Sequence, residues 1–291
     1  MSPNEEVAQK DTLRVAAVQM VSTFDYETNV AAARRLLEKA KFDSAELAVL
    51  PENFLTYGSK RPPDEHFQYE FLETFQLIAK DLEMWVVAGS FPLSVPVSGD
   101  QGRQAKPRKP CATTVVFHPK GRVHAHYSKL HLFDAEVPDA NRHYRESDCF
   151  SHGDRSVVFE SPWGRIGLAI CYDLRFPELF IDLVQKGAEL ILVPSAFTET
   201  TGRDHWEILL RVRAVESQCF VVAPNQGGRH TDKLSTWGRT MIVDPWGEIL
   251  SSLEKGEGVV VTDLDLSKVK ETRNRMPIAL HRRIQLDPKF C

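Results

Sequence analysis

The sequence predicts a mixed α/β fold, two mixed sheets packed face to face with helices outside, forming a four-layer α-β-β-α sandwich. Three observations predict it. The first third alternates apolar strands with amphipathic helices, and the same alternation resumes after residue 165. Hairpin signals fill the middle and the end, so neither block of strands is purely parallel. Two strand-rich blocks that both need covering are satisfied by stacking the sheets and placing helices on the outer faces. A single doubly wound sheet is the rival arrangement.

The elements follow in order. Residues 13–21 (LRVAAVQMV) are apolar almost throughout, which suits a strand covered on both faces. Thr28 and Asn29 precede a helical pattern with Val30, Ala33, Leu36, Leu37 and Ala40 on one side. Residues 46–50 (ELAVL) return as a second buried strand, 64–83 repeat the helical spacing through Phe67, Phe71, Phe75, Ile78 and Leu82, and 85–90 form a third strand. The stretch 92–110 is rich in Pro, Gly, Ser and Lys, lacks periodicity, and is expected as a long surface loop or insertion. Strands at 112–118 and 122–127 flank the turn Pro119-Lys120-Gly121, and strands at 156–160 and 165–171 flank Pro162-Trp163-Gly164, with an irregular segment at 134–155 between the hairpins. A helix at 176–186 ends at Gly187, and a strand at 190–193, a helix at 203–218 and a strand at 219–224 follow. Strands at 240–244, 248–252 and 258–263, turned by Pro245-Trp246-Gly247, lead to a helix from Ser267. One domain over 10–284 with a tail at 285–291 is the expected organisation.

Composition narrows the function. The 36 Lys and Arg against 40 Asp and Glu leave a net charge of −4, which offers no electrostatic footprint for nucleic acid or an anionic membrane. No apolar run approaches the length of a membrane span, and the opening residues lack a signal-peptide pattern. The 5 cysteines are scattered without a Cys-x-x-Cys pair, so they read as reduced thiols, and a cytoplasmic location is expected.

Three reactive side chains stand where an apolar strand runs out into a loop: Glu52 after AVLP, Lys129 after the strand ending at Tyr127, and Cys171 after GLAI. Cys171 is a candidate nucleophile, with helix N–H groups near Phe176 and a lysine available to favour its thiolate, or else a buried structural thiol. Glu52 reads as a desolvated base or a solvated loop residue, and Lys129 as an oxyanion cation or a surface charge. His124 and His126 share a strand face near His118 and His131, but no second metal-binding motif supports them, so no metal is expected. A Cys-His pair using Cys171 and His205 is a further arrangement left open here.

Taken together, PEN (51–53), SKLHLFD (128–134) and GLAICYDLRFPEL (167–179) resemble the nitrilase superfamily of carbon–nitrogen hydrolases. The resemblance runs from Val15 to about Arg283, and CYDLRFPEL, PSAF and HWE look most like its Nit-type amidases, with the ω-amidases as neighbours. It implies Glu52 as general base, Lys129 as oxyanion cation and Cys171 as nucleophile. It also implies a supporting Glu146, with the Tyr172 backbone N–H assisting at the oxyanion. The implied reaction is thiol-dependent hydrolysis of a small carboxylate-bearing amide with release of ammonia, with no cofactor. Deaminated glutathione is the first expected substrate and α-ketoglutaramate the alternative; a catalytically weak binding or scaffold relative is the alternative of another class. Arg175, four residues past Cys171, is expected to read the substrate carboxylate with Thr201 adding a hydroxyl, or else to pair with Asp173 or Glu178. A homodimer or higher homo-oligomer is implied, with the 171–186 region and the tail after Pro277 as contacts.

Overall fold

The computed structural model describes residues 10–55, 57, 64–94, 109–139, 142–232 and 234–284. Most of the expected 92–110 loop and all of the 285–291 tail therefore lie outside the described residues. The chain folds as the α-β-β-α sandwich. The first sheet has the order β14-β1-β2-β3-β4-β5. Its strands are β1 (Thr12–Gln19), β2 (Leu47–Val49), β3 (Trp85–Leu93), β4 (Cys111–His118), β5 (Arg122–Ser128) and β14 (Gly258–Asp265). Strands β1, β2 and β3 run parallel, and β14 returns from the far end of the chain to pair antiparallel with β1.

The second sheet has the order β13-β12-β11-β10-β9-β8. It is built from β8 (Val157–Ser161), β9 (Gly164–Leu168), β10 (Leu190–Leu192), β11 (Phe220–Ala223), β12 (Thr240–Val243) and β13 (Ile249–Leu253). Here β9, β10 and β11 are the parallel strands. A two-stranded ribbon of β6 (Asp134–Glu136) and β7 (His143–Arg145) occupies the segment expected to be irregular. Its three-residue polar strands carry no alternation to read; cross-strand pairing alone defines them.

The alternation of β1 makes the layers explicit. Leu13, Val15 and Ala17 join Ile166, Leu168 and Ile191 in one core, whereas Ala16, Val18 and Met20 pack with Leu36, Leu37, Phe71 and Phe75 in the other. The second set belongs to α1 (Tyr26–Phe42) and α2 (Glu65–Asp81), the outer layer on the first sheet. The helix α3 (Pro177–Gln185) covers the second sheet. Beside it lies a helical run made of α4 (Glu199–Thr201), a π-helical turn (Gly202–Trp206) and α5 (Glu207–Ser217). The chain closes with α6 (Ser267–Arg275) and α7 (Ile278–His281).

Three expected boundaries move. Helix α1 starts before Thr28 because Asp25 is its cap, accepting the Thr28 N–H at 2.8 Å, while the Asn29 side chain is used to bond Thr23 and Leu55. Strand β3 continues beyond a bulge between Ala88 and Phe91, so Pro92 and Leu93 belong to the sheet. The helical run expected from Arg203 begins at Glu199, capped by Thr198, because its polar first turn shows no apolar period.

Candidate active site

Each of the three reactive residues is delivered by a loop that backbone contacts hold in place. After β2 the chain crosses Gly89 so closely that a Cβ there would stand 1.9 Å from the Pro51 carbonyl oxygen; only glycine admits the turn that presents Glu52. The Ser90 hydroxyl accepts the Asn53 N–H at 3.1 Å, and Gln226 donates to the Glu52 carbonyl at 3.2 Å. Lys129 leaves β5 with its N–H on the Ala112 carbonyl at 2.9 Å and its carbonyl accepting the Gly153 N–H at 2.7 Å. Cys171 opens a 3-10 turn, Cys171–Arg175, with φ at +47°, and donates its N–H to the Pro194 carbonyl at 3.0 Å. A left-handed conformation at a residue with a Cβ is strained, and it turns the side chain out of the strand direction.

The side chains converge. Lys129 Nζ lies 2.8 Å from Glu52 and 2.9 Å from Glu146, and Glu146 also accepts the Phe133 N–H at 2.6 Å. Glu52 and Lys129 are 3% and 1% exposed, which removes the solvated-loop and surface-charge readings. The Cys171 side chain faces Glu52 and Lys129 closely enough for both charges to act on its thiol. Burial raises the Glu52 carboxyl; Lys129 opposes that shift and the Glu146 charge adds to it. Burial alone would lower the Lys129 ammonium, yet the carboxylates of Glu146 and Glu52 hold it well above its usual value, so it stays charged. Burial and the Glu52 charge push the Cys171 thiol well up, with Lys129 pulling the other way. The 3-10 turn separates Cys171 from α3, the helix expected to favour a thiolate through its N–H groups.

These groups open onto a cavity of about 280 Å³ that Tyr172, Arg175 and Thr201 also line. Arg175 Nη2 is 3.3 Å from His205 Nδ1, and the guanidinium rests over the rings of Tyr172 and Phe197. The alternative pairing with Asp173 is not what forms, because Asp173 is turned inward onto Tyr127 and His131. Thr201 sits in the first turn of the helical run, its hydroxyl 2.9 Å from that of Thr198. His205 is thus engaged with Arg175, and the carboxylate whose charge acts on the thiol is that of Glu52. The other histidines have separate tasks. His118 and His124 pack edge-on against Trp85, and burial lowers His118 to about 4. Among the described residues, no group of three or more His, Cys, Asp or Glu is placed to hold a metal ion.

The carbon–nitrogen hydrolase family model matches residues 14–274. The chain belongs to the carbon–nitrogen hydrolases. This carbon–nitrogen hydrolase is 37% identical over 271 residues to a deaminated glutathione amidase of Synechocystis, covering 92% of this chain and 97% of the relative. It is 36% identical to the deaminated glutathione amidase of Homo sapiens, over 94% of this chain and 83% of that one. The crystal structure of Saccharomyces cerevisiae Nit3, a member of branch 10 of the nitrilase superfamily, superimposes with a TM-score of 0.80 at 26% identity, covering 97% of this chain and 100% of Nit3. The carbon–nitrogen hydrolase is an amidase. Sequence reasoning missed the residues behind its site: Asp173, which entered only as a partner for Arg175, and Tyr127 and Gln226. A buried polar residue beside a strand end is the one signal they left.

Proposed function

We propose that this amidase hydrolyses deaminated glutathione through an acyl-thioester on Cys171. The observation that carries the reading is the convergence of Cys171 on one cavity with the Glu52 carboxylate and the Lys129 ammonium, which lie 2.8 Å apart. As sulfur attacks the amide carbonyl, its proton passes to Glu52, and the oxyanion forms against Lys129 Nζ and the Tyr172 N–H. The tetrahedral carbon collapses, the C–N bond breaks, and the amine leaves with the proton from Glu52. Glu52 then takes a proton from water, the resulting hydroxide opens the thioester, and the acid departs as the thiol is restored. Glu146 holds Lys129 in line, and Arg175 with Thr201 receives the substrate carboxylate.

A primary amide such as α-ketoglutaramate releases ammonia, whereas an amide derived from a tripeptide releases a peptide amine, so for deaminated glutathione the amine replaces the ammonia expected from the sequence. Assaying both products with the purified protein therefore tests the substrate. Amine release from deaminated glutathione at a higher kcat/KM is the expected result; turnover of α-ketoglutaramate alone would transfer the assignment to an ω-amidase. Among the described residues no helix is long and apolar enough to cross a membrane. The free thiols of Cys111, Cys149, Cys171 and Cys219 support a cytoplasmic location, which immunolocalisation to an oxidising compartment would overturn.

A homodimer completes the proposal. In α3, Leu179, Phe180 and Leu183 are buried and Ile181 and Val184 half-buried, whereas Ile208, Val212 and Val215 form an exposed stripe along α5 beside Trp246. Leu280 and Ile284 stay exposed in the segment after Pro277. The contact surface proposed is therefore α5 with this terminal segment, beside the expected 171–186 region.

A further inference from the structure

We infer that Asp173 is a positioning residue that sets the Cys171 sulfur and the Lys129 ammonium at their working separation; the inference rests on the roles just proposed for those two groups. Asp173 lies two residues past Cys171 in the 3-10 turn and is 0% exposed. Its Oδ2 accepts the Tyr127 hydroxyl at 2.7 Å and the Ile170 N–H at 2.9 Å. Its Oδ1 accepts the His131 N–H at 3.0 Å and stands 2.7 Å from His131 Nδ1. The Tyr127 oxygen in turn accepts the Leu130 N–H at 3.2 Å.

The identity of these partners matters more than their number. Ile170 is the residue before the nucleophile, on the loop leaving β9 in the second sheet. Tyr127, at the end of β5, and Leu130 and His131, on the loop leaving it, bracket Lys129 in the first. One buried carboxylate thus ties the nucleophile turn to the cation loop across the two sheets. His131 is pinned further by stacking on Phe176, with ring centroids 3.7 Å apart and planes within 6°. A carboxylate can accept all four donors, whereas an amide in its place presents an N–H₂ group to some of them and must reorient or push the loops apart. Oxyanion stabilisation depends steeply on the position of the donor, and displacements near an ångström cost orders of magnitude in rate.

The test compares Asp173→Asn with wild type, measuring melting temperature, amide turnover and the pH dependence of Cys171 alkylation by iodoacetamide. In folded Asp173→Asn, kcat should fall about tenfold or more with KM within about threefold. The alkylation profile should move to higher pH, because Lys129 is one of the groups holding the thiol down. A purely structural role would lower the melting temperature but leave kcat per folded molecule and the alkylation profile at wild-type values, and that result overturns the inference. If Asp173→Asn does not fold, Tyr127→Phe carries the test, since it removes the hydroxyl's bonds to Asp173 and to the Leu130 N–H and keeps the ring: a fall of about threefold or more in kcat with the same profile shift supports the tie, and wild-type behaviour refutes it. Failure of the parent reading looks different, because wild-type protein alkylated at Cys171 would then still turn over amide.

Discussion

A thiol held up by burial and by a neighbouring carboxylate is a weak nucleophile until that carboxylate takes its proton, so Cys171 and Glu52 act in one step. Cys171→Ala should abolish turnover while leaving the melting temperature close to wild type; retention of a tenth of the rate would end the assignment. Glu52→Gln should trap little acyl-enzyme when soaked with substrate and examined by mass spectrometry. The same substitution has a stability consequence. A folded-state carboxyl raised above its unfolded value contributes stability below the unfolded value and gives it up as pH rises through the folded one. Glu52→Gln should therefore melt no lower than wild type at pH 8, measured by calorimetry. For activity, the acid limb of kcat/KM should lie above 4.5, the ordinary value for Glu, and the alkaline limb above 9.0, that for Cys. An acid limb below 4.5 would remove Glu52 as the base. At the mouth, Arg175→Lys keeps the charge but loses the planar fork, so KM for a carboxylate-bearing amide should rise about tenfold or more while a neutral amide is hardly affected. Equal losses on both would make Arg175 a support for Tyr172 and Phe197.

Among the elements, the strand ends act because neighbouring backbone lets them close. Gly89 is the clearest case: a methyl group there would collide with the Pro51 and Leu50 carbonyls, none of which is a flexible side-chain end. Gly89→Ala should destabilise the fold by about 2 kcal/mol or more, in the range of strained backbone substitutions. In whatever fraction folds, turnover should be impaired because Glu52 is displaced; wild-type melting and kinetics would show that the crossing is slack. The π-helical turn before α5 has a comparable origin. A Cβ at Gly202 would lie 2.2 Å from the Trp237 side chain, so the helix passes that ring only through glycine and then delivers His205 to Arg175.

For the molecule as a whole, the pairing of β1 with β14 and the bonds from Gln226 to Ser22 and Glu52 join the two ends of the chain around the site. The helices take up the outer faces, and the apolar stripe of α5 stays exposed, the surface proposed for a second copy. Analytical ultracentrifugation at micromolar concentration should show a dimer that Val212→Glu dissociates. A monomeric wild-type protein would overturn the interface, as would a variant dimer of undiminished stability.

The amino-acid sequence by itself determined the layers, the order of the elements and the positions of Glu52, Lys129 and Cys171. Runs such as LRVAAVQMV and GLAICYD carry burial and chemistry within a few neighbouring residues, where periodicity and motif can be read. The β6–β7 ribbon, the cap at Asp25 and the length of β3 were less legible, since pairing and side-chain bonds define them. Only the tertiary structure decided that burial and the Glu52 charge push the thiol up, that Arg175 leans on His205, and that Asp173 joins two loops. Those properties depend on groups far apart in the chain, 30 residues for Arg175 and His205, 46 for Tyr127 and Asp173, and more for Glu52 and Cys171. Burial sets their energetics, and burial exists only once the two sheets have closed on each other.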